Sequence, residues 1–454
     1  MPVLPLALRR DPVELLATLS AEPGAFLLQV PDPEHPATLL GCRPVAELRV
    51  GSDGSVSSGG VRSKEPPLAA VERFVTETPA VELPFPLGGG VVGYLAYELG
   101  RLIVPRPRPP RPAVPRDTPL AVLRHYDPLV VRDERRGQYH LVASHPERAR
   151  AAWLERLGAP APRWDGPLAT APLAARMARS EYLAAARRVL DYLAAGDVYQ
   201  VNLTLPFEAP LAAPPWALHA RLAGRHPAPY GAFLDLGEAQ LVANSPELFL
   251  RRRDRRVETR PIKGTRPRGS EPAGDLALAA ELAGDAKERA EHVMIVDLER
   301  NDLGRVCRAG SVVVETLARV ESHPTVHHLV SVVSGLVEDG VGLGALLRAT
   351  FPGGSITGAP KVRAMEIIEE LEPWPRGPYT GAIGLWHPHG DLELGLAIRT
   401  AVTANGTVRW HAGGGIVADS DPDRELAEAW LKTAALRAAL GEFVGGTRER
   451  CSSG

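Results

Sequence analysis

GAIGLWHPHGDLELGLAIRTAVTANGTVRWHA, residues 381–412, decides the fold class of this chain. It holds three strand-like segments in succession, Gly381–Trp386, Glu393–Val402 and Thr407–Ala412, with no helix between them. Parallel strands need a crossover of a dozen or more residues, usually a helix, so strands that follow one another directly pair antiparallel. The pattern extends upstream. Val201, Leu203, Leu205 and Phe207 alternate with Asn202 and Thr204, the signature of a half-buried strand, and further strands are expected at Gly231–Leu236 and Leu248–Arg253. Helices are expected at Asp285–Leu303, Val341–Thr350, Lys361–Leu371 and Arg424–Leu440, and another where Leu183, Ala186, Val189 and Leu193 recur at helical spacing between a Ser180 cap and Gly196. Strands that cluster without βαβ alternation predict an α+β protein with antiparallel sheets rather than a doubly wound fold.

Around this region the chain divides by composition. Residues 1–145 read as β-rich and glycine-punctuated, with strands at Ala121–Arg132 and Gln138–Ser144 and a strand beside a close backbone approach within Leu83–Arg101. Arg101–Pro119 is too proline-rich for helix or central strand and is expected as a stiff surface crossing rather than as a ligand for a proline-binding domain. Residues 146–176, which include the Pro/Ala stretch Ala159–Pro172, are expected as a connector, 177–445 as the catalytic region and 446–454 as a tail.

Composition excludes several function classes. With 454 residues, 44% of them apolar and 23% charged, the chain can bury a large core. Its 52 basic and 54 acidic residues leave a formal charge of -2, so no global field draws it to nucleic acid or an anionic membrane. Cys42, Cys307 and Cys451 are too few and too scattered for a disulfide framework or a metal cluster. No secretory signal or membrane-spanning run is present, and a reducing cytoplasm is the expected address. Only five basic residues are lysine, and four of them, Lys263, Lys287, Lys361 and Lys432, lie among the segments that look chemical. Lysine, unlike arginine, can act as a neutral amine.

Two helices carry glutamates three apart: Glu288 with Glu291, and Glu425 with Glu428, the second pair followed by Lys432. Solvation accounts for either pair alone. Two such pairs facing each other would suit a hard divalent cation such as Mg²⁺. Between them run glycine-rich turns at Phe351–Lys361 (FPGGSITGAPK) and His411–Asp419 (HAGGGIVAD), whose bare N–H groups can hold an anion, and Arg399 places a charge inside an apolar strand, where it should face an anion or a structural carboxylate.

The segment NSPELFLRRRDRRVETRPIKGTRPRG, residues 244–269, is the most specific. With AGDVYQVNL, HPAPYGAFL, EHVMIVDLERNDLGRV, SHPTVHHLVS, FPGGSITGAPKVRAMEII, YTGAIG, LAIRT and AGGGIVADSDPDRE in order from about Ser180 to Ala439, the chain resembles the chorismate-utilising enzymes, specifically component I of aminodeoxychorismate synthase and its sister, anthranilate synthase component I. GYLAYELGR extends the likeness upstream, and the first 80 or so residues match loosely. The resemblance implies a sandwich of two antiparallel sheets with helices outside. It implies a Mg²⁺ site at Glu288, Glu291, Glu425 and Glu428, substrate-binding groups at Gly264, Thr265, Ser355, Tyr379, Arg399, Gly414, Gly415 and Lys432, and catalytic residues Lys263, Glu247 and His328.

Within the family, the enzymes that add water to chorismate carry a lysine base where this chain has Gln200, so water addition is disfavoured. Anthranilate synthases typically have alanine in the PIxGT segment and aminodeoxychorismate synthases lysine; here it is Lys263. The resemblance therefore implies amination of chorismate to 4-amino-4-deoxychorismate, with Lys263 attacking C2 and Glu247 as acid–base, and with ammonia from a separate glutamine amidotransferase subunit. The alternatives are anthranilate formation and a non-catalytic chorismate-binding regulator. Feedback-inhibited anthranilate synthases bind tryptophan between an LLES-like and an NPSPYMF-like segment. The counterparts here, Phe26–Val30 (FLLQV) and His226–Phe233 (HPAPYGAF), lack the serine and replace Met with glycine, so tryptophan inhibition is not expected.

Overall fold

The computed structural model describes residues 3–79, 89–104, 118–324 and 326–441; most of the proline-rich crossing at 101–119 and all of the 446–454 tail lie outside them. The described strands form two sheets of twelve strands each. Pairing is antiparallel throughout, as in Gln200–Pro210 against Thr407–Ile416, Tyr230–Asp235 against Gln240–Ser245 and Ala382–Trp386 against Leu392–Leu396. The α+β sandwich expected from the sequence is the architecture observed.

The 1–145 and 177–445 regions share both sheets. Phe26–Val30 pairs with Tyr230–Asp235, Leu28 opposite Ala232, while Val91–Leu95 pairs with Ala382–Trp386, Gly93 opposite Gly384. Because successive strand residues face opposite sides, each sheet buries two faces. Phe26 and Leu28 of one sheet share a cluster with Val92, Tyr94, Ile383 and Leu385 of the other, which fills the gap between them. Leu27 and Val91 belong instead to the larger core under the helices, with Leu15, Leu16 and Leu68. Full burial of such a side chain contributes about 1.5–3 kcal/mol.

Three local expectations are corrected. The expected connector carries a helix over Pro146–Gly158, started by proline in its first turn and held by buried Trp153 and Leu157 one turn apart. The next helix spans Arg179–Ala194, so Ser180 lies inside it; the Glu181 carboxylate accepts from the Ala178 N–H at 2.8 Å and supplies the cap. Gly196, at φ +79°, follows its end as expected.

The third correction shapes the site. The strand expected over Glu393–Val402 is two strands, Leu392–Leu396 and Thr400–Ala404, in different sheets. The chain crosses between sheets at Ala397–Arg399, and Arg399 takes φ +49° there. The Gln240–Ser245 and Leu248–Arg253 strands likewise lie in different sheets and cross at Pro246–Glu247. The crossings are tied side by side: Asn244 N–H donates to Arg399 O at 3.0 Å, and Leu396 N–H to Glu247 O at 2.9 Å. No helix among the described residues is long and apolar enough to cross a membrane.

Candidate active site

The paired crossings put Glu247 and Arg399 together where the sandwich changes sheets. Glu247 is 5% exposed, and its Oε1 accepts from Ser355 Oγ at 2.7 Å. Ser355 belongs to the short turn Gly354–Ile356 of the glycine-rich segment. Burial pushes the Glu247 carboxyl up to about 7, against the pull of the Ser355 hydroxyl, Lys263, the Ile262 N–H and Arg399. An acid so tuned can both give and take a proton near neutrality. Arg399 makes no ion pair with any described residue, so the structural carboxylate allowed for above is not seen; burial lowers its proton affinity, and Glu247 opposes that.

Lys263 lies on the strand Ile262–Pro267, opposite Leu329 of Val326–Leu336. The register slips between Lys263 and Thr265 at Gly264, which takes φ +66°. A Cβ on Gly264 would sit 2.8 Å from Leu282 Cδ1 and 3.3 Å from Glu288 Oε2, so glycine permits both the turn and the close approach of the carboxylate. Lys263 lies deep in the molecule yet keeps some solvent access. Burial lowers the proton affinity of its amine; Glu291 and Glu247 raise it, and Lys432 lowers it further.

Beyond the bulge, Thr265 faces His328. His328 Nδ1 lies 3.2 Å from Gly264 O and 3.1 Å from Thr265 Oγ1. A carbonyl only accepts, so Nδ1 carries the hydrogen and Nε2 is left as an acceptor, buried and without a partner among the described residues. Burial, then Arg399, lowers the ring to about 4, so His328 is neutral at pH 7.

The two glutamate pairs come from the helices Ala286–Gly304 and Pro422–Leu431. Asp285 caps the first, accepting from the Glu288 N–H at 3.0 Å, and Asp421 caps the second. Carboxyls of the two helices sense one another's charge. Glu288 is raised by burial, then Asp285 and Glu428; Glu291 is raised by burial, with Glu288 and Glu425 adding to it. Glu425 is raised by burial while Ser420 Oγ donates to its Oε1 at 2.6 Å. Glu428 is pushed up by burial but held below the usual range by Lys432, whose Nζ bonds both its Oε1 and Gly413 O at 2.7 Å. Lys287 lies 3.8 Å from Glu291, and Arg266 3.8 Å from Glu288. Four carboxylates, three of them raised by burial and by one another's charge, form a donor set suited to a hard cation. Among the described residues, no three acidic, histidine or cysteine side chains close around one point.

Gly414 backs the second pair: a Cβ there would meet Glu425 Oε2 at 3.2 Å and Glu428 Oε1 at 3.4 Å. Gly415 packs on Gln200, whose Cδ would lie 2.8 Å from an added Cβ; the Gln200 amide is fully buried, with neither polar atom bonded among the described residues. Tyr379 is buried. Its ring stacks on His411 at 5.5 Å and lines a cavity of about 250 Å³ with Trp374 and Arg376. Sequence reasoning missed Ser420 and His411. Ser420 directly precedes the Asp421 cap, a place where a hydroxyl meets the first turn.

The two segments compared above for tryptophan binding are packed together by their own side chains. The gap between Gln29, Tyr230, Ser245 and Gly395 is about 10 Å³, room for one water at most. A Cβ at Gly231 would lie 2.1 Å from Gln29 Oε1, and one at Gly395 2.8 Å from Tyr230 Cβ. Tryptophan at millimolar concentration is therefore expected to leave turnover unchanged and to give no calorimetric heat of binding. Saturable binding that slows the enzyme would overturn this.

A family model described as chorismate binding enzyme matches residues 24–438. Anthranilate synthase component 1 of Thermus thermophilus is 45% identical over 411 residues, 88% of each chain. Aminodeoxychorismate synthase component 1 of Escherichia coli is 38% identical over 440 residues, 95% of this chain and 96% of the relative. Among solved structures, anthranilate synthase component I from Streptococcus pneumoniae superposes with a TM-score of 0.77 at 31% identity, over 88% of this chain and 92% of that one. The menaquinone-specific isochorismate synthase of Escherichia coli, with a TM-score of 0.74 at 20% identity over 96% and 94%, shares the fold.

Proposed function

The chain belongs to the chorismate-binding enzyme family, and on that premise we propose that it converts chorismate and ammonia into 4-amino-4-deoxychorismate, with Lys263 as covalent nucleophile. The observation that carries this reading is the lysine of PIKGT, set deep beside the buried Glu247 with its proton affinity lowered by burial. A desolvated amine is a competent nucleophile near neutral pH.

The neutral Lys263 amine adds to C2 of the ring; the double bonds shift and the C4–O bond breaks. Glu247 gives its proton to the departing oxygen, which leaves as water, and regains one from the newly cationic lysine nitrogen. Ammonia then adds at C4, the double bonds shift back, and the C2–N bond breaks. The lysine nitrogen takes up the proton shed by the new ammonium, passed through Glu247. Hydroxyl is exchanged for amine with no oxidant or reductant. Arg399, which lacks an ion-pair partner among the described residues, would hold a substrate carboxylate, with Tyr379, Lys432 and the Gly414–Gly415 backbone assigned alongside it. Gly264, Thr265, Ser355 and His328 would line the ring. A Mg²⁺ ion held by Glu288, Glu291, Glu425 and Glu428 would supply positive charge for the substrate's ring carboxylate. A separate glutamine amidotransferase would supply the ammonia; the designation component 1 in the relatives' names supports a two-part assembly.

The 45% identity to a relative named anthranilate synthase favours the second reading, anthranilate formation. Mass analysis of the product formed from chorismate, ammonium and Mg²⁺ decides between them. The expected product retains the enolpyruvyl group; anthranilate, which has lost it, would overturn the proposal.

A further inference from the structure

The helix Ala286–Gly304 buries His292, Ile295, Val296, Glu299, Asp302 and Leu303 along one face. Glu299 is one of two carboxyls in that row, 7% exposed, and the reaction above makes no use of it. It does not belong to the four-glutamate set. Its Oε2 accepts from Thr259 Oγ1 at 2.9 Å, and its Cγ lies 3.3 Å from where a Cβ on Gly354 would be. Gly354 precedes Ser355, whose hydroxyl holds Glu247 from the other side. One turn of backbone therefore separates two buried carboxyls, and the glycine at its head lets Leu298 and Glu299 pack close against it. We propose that Glu299 is a positioning residue for Glu247, a partner carboxyl coupled to it by charge across the Gly354–Ser355 turn, so that the ionisation of one holds the proton on the other. This rests on the acid–base reading of Glu247 given above.

The surroundings support this coupling. Facing Glu299 are Thr259 from the strand Arg256–Arg260, Asp302 from its own helix, Lys361 from the helix Lys361–Leu371, and Glu247. The Lys361 ammonium is already committed to Asp302 and to Thr350 O, at 3.0 Å from the latter. It offsets one buried acid there and leaves Glu299 without an ion pair among the described residues. Facing Glu247 are Lys263, Arg399, Ser355 and the Ile262 N–H. Burial first, then Glu247, pushes Glu299 up to about 8, just above Glu247 at about 7. Two carboxyls this close in affinity and coupled by charge lose their protons as a pair. Loss of the first proton makes the second harder to lose, so a proton stays available to Glu247 at a pH where a lone carboxyl would have given it up.

The test is the pH dependence of kcat/KM for chorismate. The alkaline limb reports the protonated acid, so removing the partner moves it down. Glu299→Gln is expected to shift that limb to lower pH by about half a unit to one unit, as a single sharper ionisation, with KM for chorismate within about twofold of wild type. Glu299→Asp, which keeps a carboxyl, is expected to hold the limb near its original position. In a Glu247→Gln background, Glu299→Gln is expected to change nothing further. A wild-type profile in Glu299→Gln, or an equal loss of rate whether or not Glu247 is present, would mean that Glu299 only fills space. Full activity in Glu247→Gln alone would overturn the acid–base reading itself, and this proposal with it.

Discussion

Lys263→Ala is expected to lower the formation of 4-amino-4-deoxychorismate by about a thousandfold or more at saturating ammonia, the scale of removing the nucleophile from an enzyme that works through a covalent intermediate. A trace of product aminated at C2 is the expected side reaction, because ammonia can then reach the carbon that the amine occupied. The loss will not be a folding defect. Burial lowers the proton affinity of Lys263 in the folded chain, so between its folded and unfolded pKa values the unfolded state binds more protons. The stability that this group contributes therefore rises with pH and is lowest when the amine is charged in both states. Alanine removes that penalty, and the melting temperature at pH 7 should hold or rise. The intermediate gives a second readout: mass spectrometry of wild type quenched during turnover should show a chorismate-derived adduct on the peptide containing Lys263, absent from the variant. A wild-type rate in Lys263→Ala would end the covalent role and leave direct amination as the chemistry.

What the sequence disclosed, and what it hid, follows from the physics of each element. The helix Lys361–Leu371 and the strand Leu248–Arg253 have the bounds read from their patterns, because alternation and helical spacing report local burial directly. Arg399 was read inside a strand because its neighbours are apolar. Nothing local announces that an arginine will take φ +49° at a crossing between sheets, since the reason is the second crossing at Glu247, about 150 residues away in sequence and bonded beside it. The connector helix is the opposite case: Pro146 and the Trp153–Leu157 spacing were visible, and composition outweighed them. For the site, the glutamate pairs and Lys263 stood out by residue type. Glu299 required phase: it falls on the same helical face as His292, Ile295 and Val296, opposite to the solvated side, and that alone marks it as a carboxyl with no water to turn to. Gln29 was noticed as a missing serine; that it plugs the space over Gly231 is a fact of tertiary packing.

Glu291→Gln and Glu428→Gln should each abolish most turnover and weaken Mg²⁺ binding, measured calorimetrically without substrate, by at least about 10- to 100-fold. Each change removes a charge and almost no volume, so packing is kept. Their effects on the metal-free protein should differ in sign, because the two carboxyls sit in different fields. Glu291 is held above its ordinary range by burial, with Glu288 and Glu425 opposing its charge. The folded state thus disfavours its ionised form, and glutamine should leave the melting temperature unchanged or slightly higher. Glu428 is held below its ordinary range, since Lys432, Lys263 and Lys287 outweigh its burial. Its charge stabilises the fold above the unfolded carboxyl pKa, so glutamine should cost stability at pH 7. The cost should be small, because Glu428 and Lys432 are both about half exposed and water screens their pair. Adding Mg²⁺ should raise the melting temperature of wild type by mass action, since the folded site binds the ion and the unfolded chain does not. Both variants should lose most of that rise. If both keep the wild-type Mg²⁺ dependence of rate and of melting, the ion does not sit between these two helices, and the four carboxylates must be read as a solvated acidic rim that Lys287, Arg266 and Lys432 already balance.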